Sequence, residues 1–139
     1  MITPLKIKTE GKFNVWLTSD THFGHNKEFL YKPRGFNNIT DHDNHLINKI
    51  NELIKPEDYL LFCGDFCLNT TIDKFHYYCA QINCYNVVFV AGNHNNPWFA
   101  FYKELVFKKY GFDAEIYPFR WQNLIFVGES VDIQVDKFN

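Results

Sequence analysis

The sequence has no surplus of charge, no long apolar run and little cysteine or arginine. Lys and Arg together number 14 against 16 Asp and Glu, for a formal net charge of -2. That balance excludes the broad basic face of a protein that binds nucleic acid by electrostatics alone, though it permits a substrate held through a metal. No stretch approaches the roughly 20 apolar residues of a membrane-spanning helix, and no charged-then-apolar leader precedes the first strand-like run. A soluble cytoplasmic protein that does not engage a membrane is the expectation. The four cysteines, Cys63, Cys67, Cys79 and Cys84, match neither the paired spacing of a zinc ribbon nor the density of a secreted disulfide scaffold, and read as reduced core residues. Repeats, linkers and low-complexity tracts are missing too. Lys far outnumbers Arg, and Phe, Asn, Ile and Tyr abound. By the genetic code this bias implies an AT-rich genome, as in phages and low-GC bacteria, and for a phage protein the compartment would be the host cytoplasm.

What is present is aromatic and strand-forming. Phe occurs 15 times in 139 residues, enough chain for one domain with a real core and too little for two. Three apolar runs each break into polar ligand types: Val15-Trp16-Leu17 before Asp20-Thr21-His22, residues 59–63 before Gly64-Asp65, and residues 87–91 before Gly92-Asn93-His94. The spacing predicts strands over 14–18, 58–63 and 86–91. Between them it predicts a helix opened and capped by Thr40 and stopped at Lys55-Pro56, with Leu46, Ile47, Ile50, Leu53 and Ile54 as its apolar stripe, and a second helix over 71–82. Pro33 and Gly35 make residues 29–38 a loop. Alternating strands and helices give parallel strands whose carboxyl ends share one edge, where open α/β sheets collect ligands. A third helix is expected from 96 or 97 to 110, then short strands over 114–119, 123–127 and 131–135, while residues 6–12 form a short edge strand or an ordered arm.

Strand ends that present carboxylate, imidazole and amide together are what a metal site needs. Asp65 follows a glycine that lets the chain turn sharply, so it is the natural bridging carboxylate. Asp20 and His22 project to one side by the period of two and suit one ion, and Asn93 offers an amide oxygen to another. His94 would then reach the substrate as a donor. Mixed oxygen and nitrogen ligation suits Mn, Fe, Zn or Mg without choosing among them.

The blocks SDTHFGHN, CGDF and VAGNHN, in that order and at strand ends, resemble the first three signature blocks of the calcineurin-like metallophosphoesterases, and more narrowly the compact bacterial and phage forms. The resemblance implies an α/β fold, a calcineurin-like layered α/β/β/α sandwich. It also implies up to two divalent metals, with Asp20, His22 and Asp65 on the first and Asp65 and Asn93 on the second, and His94 as the catalytic residue assisting the leaving group. The substrate would be a phosphomonoester or phosphodiester, a nucleotide or nucleic acid included, hydrolysed by a metal-activated water.

The family continues with a histidine-ended strand and a Gly-His-x-His block, whereas no histidine follows His94 here. Residues 1–139 therefore read as a single metallophosphoesterase-like domain, incomplete at its C-terminus and equivalent to the first two-thirds of such an enzyme. One ion or none is expected in this chain. A split gene, a shortened chain and a naturally short form all remain open. So does a second class of function, a catalytically silent relative that binds a nucleotide, nucleic acid or protein. If closing strands are lacking, strand 131–135 would be an exposed edge that pairs with a second polypeptide or with another copy of the chain.

Duller readings stand beside these. Asp20, Asp65 and Asn93-His94 are also turn formers. His25 lies close enough to His22 to join the site, and reads otherwise as facing solvent or supporting it, while His42, His45 and His76 read as surface or packing residues. Arg34 is an exposed cation or a binder of substrate phosphate, and Trp98, Phe101 and Leu105 are core.

Overall fold

The computed structural model describes residues 4–67, 71–90, 104, 108–109, 111, 118–127 and 132–136. Its elements, in chain order, are β1 (Leu5–Ile7), β2 (Val15–Thr18), α1 (Glu28–Tyr31), α2 (Ile39–Leu53), β3 (Tyr59–Phe62), α3 (Ile72–Cys79), β4 (Asn86–Val90), β5 (Phe119–Trp121), β6 (Leu124–Val127) and β7 (Ile133–Val135). Five strands form one sheet in the order β2-β3-β4-β6-β5. The pairs β2–β3, β3–β4 and β4–β6 are parallel, and β5 returns antiparallel to β6. The three strands expected to be parallel are so, and their carboxyl ends meet at one edge.

Register and the period of two divide the core. Leu60, Val87 and Leu124 lie in one row, with Phe62, Phe89 and Phe126 in the next row on the same face. That face packs on α2 and α3 through Ile47, Phe75, Tyr78, Cys79 and nearby side chains. Phe89 stacks on Phe62 at 5.4 Å and on Phe126 at 5.8 Å, a ladder of rings across three strands. Leu61, Val88 and Ile125 point the other way, onto Ile7 and the flanks of Leu5 and Ile133. Strands buried on both faces explain the continuous apolar runs. Helices, a five-stranded sheet and a two-stranded sheet are thus three successive layers of an α/β fold.

Several boundaries differ from expectation. α2 is capped by Asn38, whose side chain accepts from the Asp41 N–H at 2.8 Å, and Thr40 lies inside the helix. Leu53, expected on the apolar stripe, is exposed. Residues 28–31 form the single turn α1 ahead of Pro33 and Gly35, since a proline ends a helix without preventing a turn ahead of it. Cys67, Cys79 and Cys84 are buried, whereas Cys63, one residue beyond β3, is exposed. Phe119, expected to end a strand, begins β5 and with it the hairpin to β6. Of the expected third helix, Glu104, Lys108 and Lys109 are described and helical, Glu104 pairing with Lys108 at 2.7 Å, while Trp98, Phe101 and Leu105 lie outside the described residues.

Of the two edges of the strand expected at 131–135, one is paired within the chain. β7 pairs in parallel with β1, Leu5 opposite Ile133 and Ile7 opposite Val135. Asp136 seals the pair by accepting from the N–H groups of Thr9 and Glu10 and from the Thr9 hydroxyl, all within 3.0 Å. Hydrogen bonds from these two amides hold its carboxyl below the usual range. β1, which overlaps only the start of the 6–12 stretch read as an arm or edge strand, thus covers one side of β7. Among the described residues no helix is long and apolar enough to cross a membrane.

Candidate metal centre

Beyond β2 and β3 the two chain segments stay together as loops. Cys63 N–H donates to Thr18 O at 2.9 Å, Asp20 N–H to Gly64 O at 3.0 Å, His22 N–H to Asp65 O at 3.0 Å and Phe23 N–H to Phe66 O at 2.9 Å. The Thr21 hydroxyl adds a bond to Phe66 O at 2.7 Å. This zipper prolongs the β2–β3 pairing past the sheet and fixes the loops' relative register. It ends in a bridge between Phe23 and Cys67, both buried.

The backbone within it is strained where the candidate ligands sit. Asp20, His22 and Asp65 have φ of 58°, 54° and 45°, and Gly64 has φ of 152°. Only Glu10 and Gln122 join those three among described non-glycine residues with positive φ, and both of these lie in turns. Left-handed backbone costs an L-residue roughly 1–2 kcal/mol, and such residues gather at functional sites. The period of two does not aim Asp20 and His22 together, because both lie past the strand. Their left-handed turns do.

Asp20, His22 and Asp65 each present one ligand atom within 4.8 Å of the others. Nε2 of His22 lies 3.8 Å from Oδ1 of Asp20 and 3.9 Å from Oδ2 of Asp65. Those separations are too long for hydrogen bonds. Metal bonds of roughly 2.0–2.2 Å would set ligand atoms roughly 3–4.4 Å apart around a shared ion. Ser19 donates to Oδ2 of Asp20 at 2.9 Å, which leaves Oδ1 turned to His22. Nδ1 of His22 lies 3.3 Å from Nδ1 of His25, with the rings stacked at 5.5 Å. Burial, then the charges of His22, Lys27 and Arg34, pull the pKa of His25 down, so near neutral pH His25 can accept from His22 Nδ1–H. A partner on Nδ1 that leaves Nε2 free is the arrangement a metal-binding histidine needs. His25 thus supports His22, one of the three roles its spacing left open. The donor set fits a divalent ion. The side chain of Asp20 is 62 % exposed and that of His22 18 %, so the cluster opens to solvent on its carboxylate side.

Asn93 and His94 lie outside the described residues. Arg34 is exposed, as one of its two readings had it, and both terminal nitrogens bond to the protein itself, one to the Asp20 carbonyl and the other to Thr21 and His42. His42, read as surface or packing, is fully buried, and so in effect is Asp43 beside it. One signal could have found them: Asp43 stands four residues before Ile47 and seven before Ile50, on the inward stripe of α2.

The profile of the calcineurin-like phosphoesterase family matches residues 13–137. An uncharacterized protein of Methanocaldococcus jannaschii, MJ1445, is 31% identical over 81 residues, which is 58% of this chain and 46% of that protein. The chain thus spans about half the length of the curated relative it matches. No solved structure matches it. On the family match over most of its length, the chain belongs to the calcineurin-like phosphoesterase family.

Proposed function

We propose that this calcineurin-like phosphoesterase holds a divalent cation with Asp20, His22 and Asp65 and hydrolyses phosphate esters at that site, residues 1–139 acting as one domain. The observation that carries the reading is the convergence of two carboxylates and an imidazole within 4.8 Å, on backbone that only a demanding site would keep. Asp20 and Asp65, close together and of like charge, repel without a cation, and the imidazole leaves its Nε2 lone pair facing them. A divalent ion bound there would polarise a phosphoryl oxygen and make water acidic enough to attack near neutral pH.

The chain's own groups divide the remaining work. Asp65, by the family resemblance, is the ligand that would be shared if a second ion bound with Asn93. The open carboxylate side admits an anionic ester, and His94 is the proton donor to the departing oxygen, by the family resemblance of the VAGNHN block. Manganese is the first metal to test, with phosphodiesters ahead of nucleotides and nucleic acids as substrates.

The experiment compares wild type with Asp65→Asn for metal content per chain and for manganese-dependent hydrolysis of bis(p-nitrophenyl) phosphate. The substitution is expected to reduce bound manganese and turnover by at least about 100-fold, more than the loss typical of a residue that only supports a ligand. Equal metal content and turnover in both proteins would sink the proposal. A wild type that takes up metal but turns over no ester would favour a binding role for the same site.

A further inference from the structure

Between the ligand loop and the helices runs a line of polar side chains that the proposed chemistry does not use. Arg34, from the segment between α1 and α2, donates through Nη2 to the Asp20 carbonyl at 3.0 Å and through Nη1 to the Thr21 carbonyl at 3.3 Å. Nη1 also lies 2.9 Å from Nε2 of His42. A guanidinium can only donate. Nε2 therefore accepts, the ring proton sits on Nδ1, and Nδ1 donates to Oδ1 of Asp43 at 2.8 Å. Oδ2 of Asp43 accepts from the Gly24 N–H at 3.0 Å and from the Tyr78 hydroxyl at 2.9 Å. A single protonation state satisfies every member: guanidinium, neutral imidazole, carboxylate and phenol. His42, Asp43 and Tyr78 are 0%, 5% and 7% exposed. Burial first, and then the bond to Asp43, push the Tyr78 hydroxyl's pKa far above its ordinary value, so it stays a donor.

The line grips residues 20–24 at successive points. Arg34 takes two carbonyls, Asp43 takes the Gly24 amide, and the Tyr78 ring lies flat on Phe23 with centroids 5.1 Å apart. Two of the three candidate ligands sit in the gripped segment, and both are left-handed without being glycine. Strained backbone persists only where its surroundings over-determine it. The zipper to residues 63–66 supplies one side of that constraint, and the polar line supplies the other.

We infer that Arg34, His42, Asp43 and Tyr78 are positioning residues for the metal centre, holding residues 20–24 in the ligating conformation and thereby setting affinity for the cation without touching it or the substrate. The inference rests on the proposed centre. Partners behind a metal ligand typically change affinity 10–100-fold when removed. A purely structural role would lower stability and leave the affinity of the folded protein alone.

The test titrates Mn2+ into metal-free wild type, Tyr78→Phe, Arg34→Gln, Arg34→Lys and Asp58→Asn by calorimetry, with Tm recorded for each. Asp58 is buried at the opposite end of β3 and controls for destabilisation alone. Tyr78→Phe keeps the ring on Phe23, loses one hydroxyl and is expected to weaken Mn2+ binding about 10-fold. Arg34→Gln is expected to weaken it toward about 100-fold. Arg34→Lys keeps the charge without the fork that spans two carbonyls and a ring nitrogen, and should restore part of the affinity. Asp58→Asn should lower Tm yet hold Kd within about twofold, because separate sites act independently. Wild-type Kd in both Tyr78→Phe and Arg34→Gln would overturn the inference, and so would losses of affinity that simply track Tm through Asp58→Asn. Should Arg34→Gln fail to fold, Tyr78→Phe decides alone. A wild type that binds no Mn2+ would instead bring down the metal centre itself, so the two failures are distinguishable.

Discussion

Two carboxylates stand at the two ends of β3, and their surroundings are opposite. Asp58, just before the strand, is 1% exposed and accepts from Asn14 N–H at 2.9 Å, from the Trp16 indole at 3.0 Å and from Lys55 N–H at 3.0 Å. Asp65, three residues past the strand, is half-buried with its side chain 37% exposed, and meets, among the described residues, the His22 ring at 3.9 Å and the like charge of Asp20. Asp58 has its donors built in, on relaxed backbone. Asp65 sits on left-handed backbone, without such donors among the described residues, beside a second carboxylate and an imidazole. A saturated carboxylate stabilises a fold, whereas an unsaturated one, held under strain beside another, is set for a cation.

Exchanging carboxylate for amide at each end should separate the two roles. The largest effect belongs to Asp65→Asn, whose expected loss of metal and turnover comes with an unchanged or raised Tm, since the variant removes a repulsion. A Tm drop as large as that of Asp58→Asn would erase the distinction. Asp58→Asn should lower unfolding free energy by about 1.5–3 kcal/mol, the range for hydrogen bonds to a charged group, as read by urea denaturation. Burial alone would raise the Asp58 pKa, but the bonds from Asn14, Trp16 and Lys55 outweigh it and hold the group below 3.8. The folded state therefore releases that proton more readily than the unfolded chain does. The stabilisation is present above about pH 3.8 and is lost as pH falls through the lower, folded value. Asp58→Asn should flatten that acid limb, and an unchanged acid profile would show that Asp58 is not its source.

Gly64→Ala probes the strain itself. A Cβ at Gly64 would meet nothing within 4 Å, so the penalty comes from φ of 152° alone. About 1–3 kcal/mol of stability is expected to go, the range for a residue forced into a region that glycine dominates. Because residue 64 aims Asp65, Mn2+ affinity should fall with it. A Tm loss with unchanged affinity would mean that the loop absorbs the distortion before it reaches the carboxylate.

The same contrast marks what was legible in the sequence. β3 and β4 could be read because strands buried on both faces announce themselves as unbroken apolar runs, β2 because its short apolar run stops abruptly although the strand lies at the sheet edge and is only partly buried, and the ligand types after all three because the chain changes character there. Local pattern could not reveal the strain at Asp20, His22 and Asp65, since φ follows from the zipper between two loops that are far apart in sequence. Nor could it reveal that β7 finds β1, or that Asp136 reaches back to Thr9. Such pairings depend on which sheet face needs covering, not on neighbours along the chain. The polar link from His42 through Asp43 to the ligand loop escaped notice for a related reason. A His-Asp pair at a helix start looks like capping and dipole chemistry, and only the Ile47 and Ile50 stripe shows that it points inward.

The smallest effect is the most discriminating for the helical side. Asn38 caps α2 through its bond to Asp41 N–H, and Asn38→Ala should cost about 1 kcal/mol. His42 and Asp43 come within the first two turns, so a frayed helix start could carry them away from Arg34 and Gly24. Their burial, the Phe36 ring edge-on to His42 at 5.5 Å and the Tyr78 bond to Asp43 hold them independently of the cap. Stability should therefore fall while Mn2+ affinity stays within about twofold of wild type. If affinity falls with the cap, the position of the polar line depends on the end of α2 and not on the side chains packed around it, and the contrast between a structural and a functional edge would have to be drawn inside the helix itself.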